Sequence, residues 1–158
     1  MSDDEPAHPA GAPSIGELWL LDANVLVALT LSTHLHHRAA HAALRAHDGH
    51  WATTPITEAA LLRLLLNPRV TGRSFRPHDV MATVAGLRND PRWRWINDNS
   101  SLADPAIETS VLVGHQQVTD LHLVNLAART ASLLTTFDAG IAKALAPRDR
   151  RHVKLLQQ

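Results

Sequence analysis

Apolar positions in this chain come in short blocks separated by polar turns, and the length and spacing of each block predict an element. Leu18-Trp19-Leu20-Leu21 stops abruptly at Asp22, which reads as a buried strand. Asn24 to Leu31 and the Ala-rich stretch His34 to His47 follow as helices. Trp51-Ala52-Thr53 predicts a second strand. Thr54-Pro55 then supplies a cap and a first-turn proline for a helix that Asn67-Pro68 ends. Pro77 to Leu87 is a further helix, Arg94-Trp95-Ile96 a strand, and 104–118 is expected to include a short helix. Thr119 to Ala131 is a helix and Ser132 to Phe137 a strand. Ala139 to Leu145 is a short helix before Pro147, and His152 to Leu155 a last edge strand.

Strands alternating with helices at this spacing imply an α/β fold with a parallel sheet covered on both faces. The expectation is one domain over 18–158, preceded by an acidic, Pro-rich lead-in over 1–17 with the composition of a disordered segment. No run approaches the roughly 18 apolar residues of a membrane span, and the first residues are acidic where a secretory leader is basic. A cytoplasmic protein is expected. The absence of Cys removes disulfides, thiolate zinc sites and thiol nucleophiles. Nucleotide-binding glycine loops and a nucleophile elbow are missing too.

Two strand ends and two helix starts carry acids. Asp22 and Asp138 each follow a strand directly, and in a parallel sheet both would lie at the carboxyl edge, where open sheets place their sites. Glu58 and Asp120 sit in the first turns of helices that begin at that edge. Glu58 leads the stripe Leu61, Leu62, Leu65, and Asp120 leads Leu123, Val124, Ala127, with His122, Asn125 and Arg129 marking the polar face of the latter helix. Taken singly, each acid reads as a cap or turn residue. Taken together, four carboxylates at one rim repel one another unless a divalent cation joins them or some are protonated. Oxygen ligands of this kind suit Mg²⁺ and Mn²⁺.

Leu20-Leu21-Asp22-Ala23-Asn24-Val25-Leu26, Thr57-Glu58, Thr119-Asp120 and Thr135-Thr136-Phe137-Asp138-Ala139-Gly140 resemble, in order and interval, the acidic motifs of the PIN domain. Among PIN domains the nearest resemblance is to the VapC toxins of type II toxin–antitoxin pairs, over about residues 18–155. The resemblance implies an α/β/α sandwich around a central, mostly parallel sheet of about five strands. It also implies a Mg²⁺- or Mn²⁺-dependent endoribonuclease, a homodimer, and a cognate VapB-like antitoxin. By match, Asp22, Glu58, Asp120 and Asp138 are the catalytic, metal-holding acids. Asn24 and Thr136 support them, and Arg63 resembles a frequent basic position. His122 is a departure from the pattern, a further candidate ligand or base beside Asp120. Hydrolysis of structured RNA such as tRNA or rRNA would leave a 5′-phosphate and a 3′-hydroxyl, a metal-activated water being the nucleophile.

Charge agrees with a polyanionic partner. The formal net charge is zero, but residues 1–17 hold four acids and no Lys or Arg, so the body carries 15 basic against 11 acidic residues. Thirteen of the 15 are Arg, suited to forked phosphate contacts. Arg69, Arg73, Arg76 and Lys143 are the RNA-binding candidates. Trp93 and Trp95 alternate with Arg92 and Arg94. They fit base stacking or a strand with one buried face, and Trp95 is assigned to the buried side. His34, His37 and His41 share a helix face but lack the glutamate of a zinc-protease motif, so a pH-sensitive surface is the better reading. The excess of leucines, Leu29, Leu31, Leu44, Leu61, Leu62, Leu65 and Leu66, suggests a dimer or antitoxin groove. A haloacid-dehalogenase-type phosphatase needs an Asp where Asn24 stands. The alternative that survives is an inactive PIN-type RNA-binding or protein-interaction module.

Overall fold

A computed structural model describes residues 18–157. The acidic lead-in over 1–17 lies outside the described residues. Five strands form one sheet: β1 (Leu18–Leu21), β2 (His50–Thr53), β3 (Trp93–Trp95), β4 (Leu133–Thr136) and β5 (Val153–Leu155). Their spatial order is β3-β2-β1-β4-β5, and every pairing is parallel. Parallel neighbours need crossovers. These are α1 (Ala23–Thr30), α2 (His37–Ala46), α3 (Pro55–Leu65), α4 (Pro68–Thr71), α5 (Pro77–Leu87), α6 (Val118–Arg129) and α7 (Ala139–Ala144). The chain starts in the middle of the sheet, builds outward to β3, and then crosses to the far side of β1. The order therefore reverses between β1 and β4, and the carboxyl ends of those two strands flank the crevice where α/β folds place ligands.

The two-residue period of the strands sorts the core into two layers. Trp19, Leu21 and Trp51 pack on one face against α1, α2, α3 and α5. Leu20, Ala52 and Leu134 point to the other face and meet Leu123, Val124, Leu126 and Ile141 of α6 and α7. Fully burying side chains of this size contributes about 1.5–3 kcal/mol each. The leucine excess belongs mostly to the first layer. Leu29, Leu31, Leu61 and Leu65 are buried, Leu44 and Leu62 pack partly against them, and only Leu66 is exposed.

Strand and helix positions agree with the sequence reading to within a residue or two, apart from a longer difference at the start of α2. Besides a 3₁₀ helix over Pro147–His152, where only a helix stop was expected, two segments differ in kind. Asn67-Pro68 ends α3 as expected but also starts α4, because the Asn67 side chain accepts from Arg69 N–H at 3.0 Å and Gly72, at φ 74°, ends the turn in the left-handed region. Residues 104–114 hold no helix. Only a 3₁₀ turn at His115–Gln117 precedes α6.

That irregular segment is tied down by two buried polar side chains. Asn125, fully buried on α6, accepts from Ala106 N–H at 2.8 Å and donates to the Ser101 carbonyl at 3.3 Å. Asp149, also buried, accepts from Glu108 N–H at 2.9 Å. Asn125 is thus not on a polar face, as the helical phase suggested. The loop covers that side of α6, and the amide replaces the water its backbone would otherwise bind. Replacing Asn125 by Ala should lower stability by about 1–3 kcal/mol, read from the urea midpoint, with loss of exchange protection at Ala106 N–H. An unchanged midpoint would mean that the loop holds itself.

Candidate active site

Asp22 ends β1 and stands at the N-cap of α1, yet its side chain does not cap the helix. Its Oδ2 accepts from Thr136 Oγ1 at 2.8 Å and from Asn24 Nδ2 at 2.9 Å. Asn24 Nδ2 also reaches Thr136 Oγ1 at 2.9 Å, and Asn24 Oδ1 accepts from Phe137 N–H at 3.2 Å. Thr136 Oγ1 accepts in turn from Asp138 N–H at 3.0 Å. Asn24 and Thr136 therefore staple the ends of β1 and β4 across the crevice and fix the first carboxylate against the backbone of the second. Asp138 does cap α7, Oδ1 accepting from Gly140 N–H at 2.7 Å. A Cβ at Gly140 would lie 2.8 Å from that same oxygen, so residue 140 has no room for a side chain while Asp138 keeps its place.

Asp120, in the first turn of α6, completes the group. It accepts no hydrogen bond from the described residues and lines a cavity of about 360 Å³ together with Asp138. Val111, Leu112, Leu121, Ile141 and Leu145 line it as well, with Gln116 and Gln117. Burial, then the charge of Asp22, then that of Asp138 push the Asp120 carboxyl up to about 6. Asp22 is also raised, chiefly by burial and further by Asp138, against the opposing hydrogen bonds from Thr136 and Ala23. Among the described residues, no group of three or more His, Asp or Glu side chains is placed to hold a metal ion as they stand. What converges is a set of mutually repelling oxygen donors.

Glu58, in the first turn of α3, carries a cation of its own. Arg88, just past α5, grips it with two bonds, Nε to Oε1 at 3.0 Å and Nη2 to Oε2 at 2.7 Å, and Thr53 Oγ1 donates to Oε1 at 2.6 Å. The cation beside Glu58 is therefore Arg88 and not Arg63. Five residues along a helix turn the side chain about 140° away, and Arg63 is exposed. His122 likewise turns from Asp120, since two residues place it about 160° round the helix. It meets Asp98 at 2.8 Å. Arg69, Arg73 and Arg76 follow α3, whose 11 residues carry the chain about 16 Å from its start at the carboxyl edge. Arg73 lies over Phe75 and Arg76 pairs with Asp79. Lys143 is exposed in the last turn of α7. The histidines of α2 are pinning groups, His37 Nδ1 and His41 Nε2 meeting the carbonyls of Ala28 and Leu29 at 2.7 and 3.0 Å.

Arg88, Thr53 and Asp98 escaped the sequence reading because their partners are set only by tertiary packing. Trp95 also differs from its assignment. It is 38% exposed, because β3 is an edge strand whose outer side nothing among the described residues covers.

A five-stranded parallel sheet with acids flanking its switch point defines a PIN-like α/β/α domain. The solved structure of VapBC2 from Rickettsia felis bound to a promoter DNA fragment has the same fold, with a TM-score of 0.60 at 14% identity over 89% of this chain and 99% of that one. No family model matches the chain. Ribonuclease VapC38 of Mycobacterium tuberculosis is 38% identical over 143 residues, 87% of this chain and 96% of its own length. Ribonucleases VapC39 and VapC29 of the same species are 38% and 37% identical over 78% of this chain and 90% and 87% of theirs. The chain belongs to the VapC ribonuclease family.

A carboxyl with a raised pKa gives its stabilising contribution at low pH and loses it as pH rises. For Asp120 that window runs from about 4, the ordinary value, to about 6. In chelator, the melting temperature should fall as pH rises through this window, and Asp120→Asn should flatten the fall. Parallel pH profiles of the two proteins would mean that neither burial nor its neighbours raise the Asp120 carboxyl.

Proposed function

We propose that this chain is the toxin of a toxin–antitoxin pair, an endoribonuclease that hydrolyses structured RNA such as tRNA or rRNA with Mg²⁺ or Mn²⁺. On this reading a VapB-like antitoxin neutralises it, two copies form a homodimer, and it works in the cytoplasm. The described residues include no helix long and apolar enough to cross a membrane. The observation that carries the reading is the convergence of Asp22, Asp120 and Asp138 at the switch point, with Asp120 pushed up to about 6 by burial and its two neighbours. Family membership supports the ribonuclease assignment.

The donor set fits a hard divalent ion. It consists of carboxylate oxygens, and both oxygens of Asp120 and Oδ2 of Asp138 accept no hydrogen bond from the described residues. Asp22, Asp120 and Asp138 would hold the ion, and Glu58, paired with Arg88 in this structure, is the fourth acid of the set. When bound, such an ion lowers the pKa of a water and offsets charge on the scissile phosphate. Asn24 and Thr136 keep Asp22 oriented, as outer-shell partners do for metal-holding carboxylates. Asp120 must shed the proton its neighbours help retain, so cation uptake weakens as pH falls below about 6.

The test is cleavage of end-labelled RNA by the full chain with Mg²⁺ or Mn²⁺. Discrete cuts should vanish with chelator and fall more than about 100-fold in Asp22→Asn and Asp120→Asn, while Thr136→Val should cost about 10–100-fold. Undiminished cutting by the Asp variants would remove the site. Gly140→Ala is the finer probe. Alanine suits a helix better than glycine, so the fold should hold, while displacement of Asp138 should lower both Mn²⁺ affinity and cleavage by more than about tenfold. The capture of Glu58 by Arg88 favours one other reading, an inactive RNA-binding module. Such a chain would bind RNA equally with and without chelator and cut none.

A further inference from the structure

The cavity that Asp120 and Asp138 share has a further lining that the hydrolytic chemistry does not use. Its volume of about 360 Å³ falls among pockets that take small ligands, roughly 300–1,000 Å³. Leu121, Ile141 and Leu145 reach it from the core layer under α6 and α7, and Leu112 reaches it from the irregular segment before α6. That segment is anchored at Ala106 and Glu108 by the buried Asn125 and Asp149. It is closed at Val113, whose N–H donates to Gln117 Oε1 at 3.0 Å. Gln116 and Gln117 supply the uncharged polar groups of the lining. Because Val113 N–H is a donor, the Gln117 atom it meets must be the amide oxygen, which leaves Nε2 without an acceptor among the described residues. Gln117 stands at the N-cap of α6, three residues before Asp120, so one helix end carries both an acid and an uncommitted donor.

We propose that this cavity is a nucleobase pocket, which receives the unpaired base of a nucleotide bordering the scissile phosphate, with apolar side chains against the base and the Gln117 amide donating to its edge. A phosphodiester held at the acids brings the nucleosides it joins beside the cavity, because Asp120 and Asp138 belong to its lining. A base is uncharged, apolar on its faces and polar at its rim, which suits leucine and isoleucine next to amides. Two carboxylates in the same lining disfavour an anionic occupant. Since its oxygen is taken, Gln117 offers the base donors alone. Donors pair with the carbonyl that guanine and uracil carry where adenine and cytosine carry an amino group. Hydrogen bonding of this kind discriminates more sharply than apolar packing does. Gln117 is on this account a residue that sets specificity, not a catalytic one. The inference rests on the ribonuclease reading and deepens it by naming what the site reads.

The test is a competition between substrates, run on the full chain with Mg²⁺ or Mn²⁺. Sequencing the ends left in total RNA locates the cut. Short labelled single strands then carry guanine, uracil, adenine, cytosine or an abasic site on either side of it. Pairs of strands cut in one reaction give ratios of kcat/KM, which a general loss of activity does not move. On one side of the cut, guanine or uracil should be favoured over the amino-bearing bases and the abasic site by about tenfold or more. Gln117→Met keeps the length of the side chain but removes its donors, and should bring the guanine-to-adenine and uracil-to-cytosine ratios to within about threefold of one. Ala144→Phe, which fills the cavity from the last turn of α7, should bring base-bearing strands down to the rate of the abasic strand. Circular dichroism shows that each variant is folded. Cleavage without base preference on either side overturns the pocket while the ribonuclease reading stands, and a preference for adenine or cytosine overturns the role of Gln117. Ratios that stay unmoved in both variants overturn the proposal. If those variants instead lose inhibition by the antitoxin, the cavity is a seat for the protein partner. A native chain that cuts no RNA with either metal fails the ribonuclease reading itself.

Discussion

The repulsion among Asp22, Asp120 and Asp138 is the constraint around which this domain is arranged. Three like charges in a half-dry crevice are unfavourable, and nothing local in the chain brings them together. The sheet does so, with β1 and β4 side by side although one follows the other by more than a hundred residues. Two packed layers of apolar side chains supply the free energy that holds those strand ends in place, and the Asn24–Thr136 staple turns that general adhesion into a fixed carboxylate. Stability accumulated in the core is spent at the edge, the usual relation between a scaffold and its site.

The two helix-borne acids show how similar sequence positions diverge in space. Glu58 and Asp120 both occupy the first turn of a helix at the carboxyl edge and both lead an apolar stripe. Asp120 lines the cavity with Asp138, where the charges of Asp22 and Asp138 act on it. Glu58 starts a helix one strand further out, where the end of α5 brings a guanidinium across it. The outcome is a negative crevice and, near the ends of β2 and β3, an aromatic shelf whose arginine is charge-paired.

Much of this was legible in the sequence. Short apolar blocks closed by polar turns located all five strands, and Asp22 and Asp138 could be placed at one edge because a parallel sheet leaves a residue following a strand nowhere else to go. Helical phase put Asp120 toward the core correctly. Phase failed at Asn125, where a loop with no pattern of its own returned to cover the polar side of α6. It could not pair Glu58 with Arg88 or His122 with Asp98, because those contacts depend on where an unpatterned turn ends and not on periodicity. Trp95 misled for a related reason. Alternation says that a strand has two faces, but not that its neighbour on the open side is missing.

The strand order also has a bearing on how such a protein is made. The central strand β1 is made before its neighbours, and it waits for β4 before its second edge is paired. The hydrogen bond from Thr136 to Asp22 closes a separation of 114 residues. Contacts of that range form late in folding, because the entropy of closing a long loop must be met before they repay it. A nascent chain shorter than that loop has the first acid but neither its staple nor its partners. For an enzyme whose substrate would include the RNA of the machine producing it, the topology delays the cutting edge until β4 has been made.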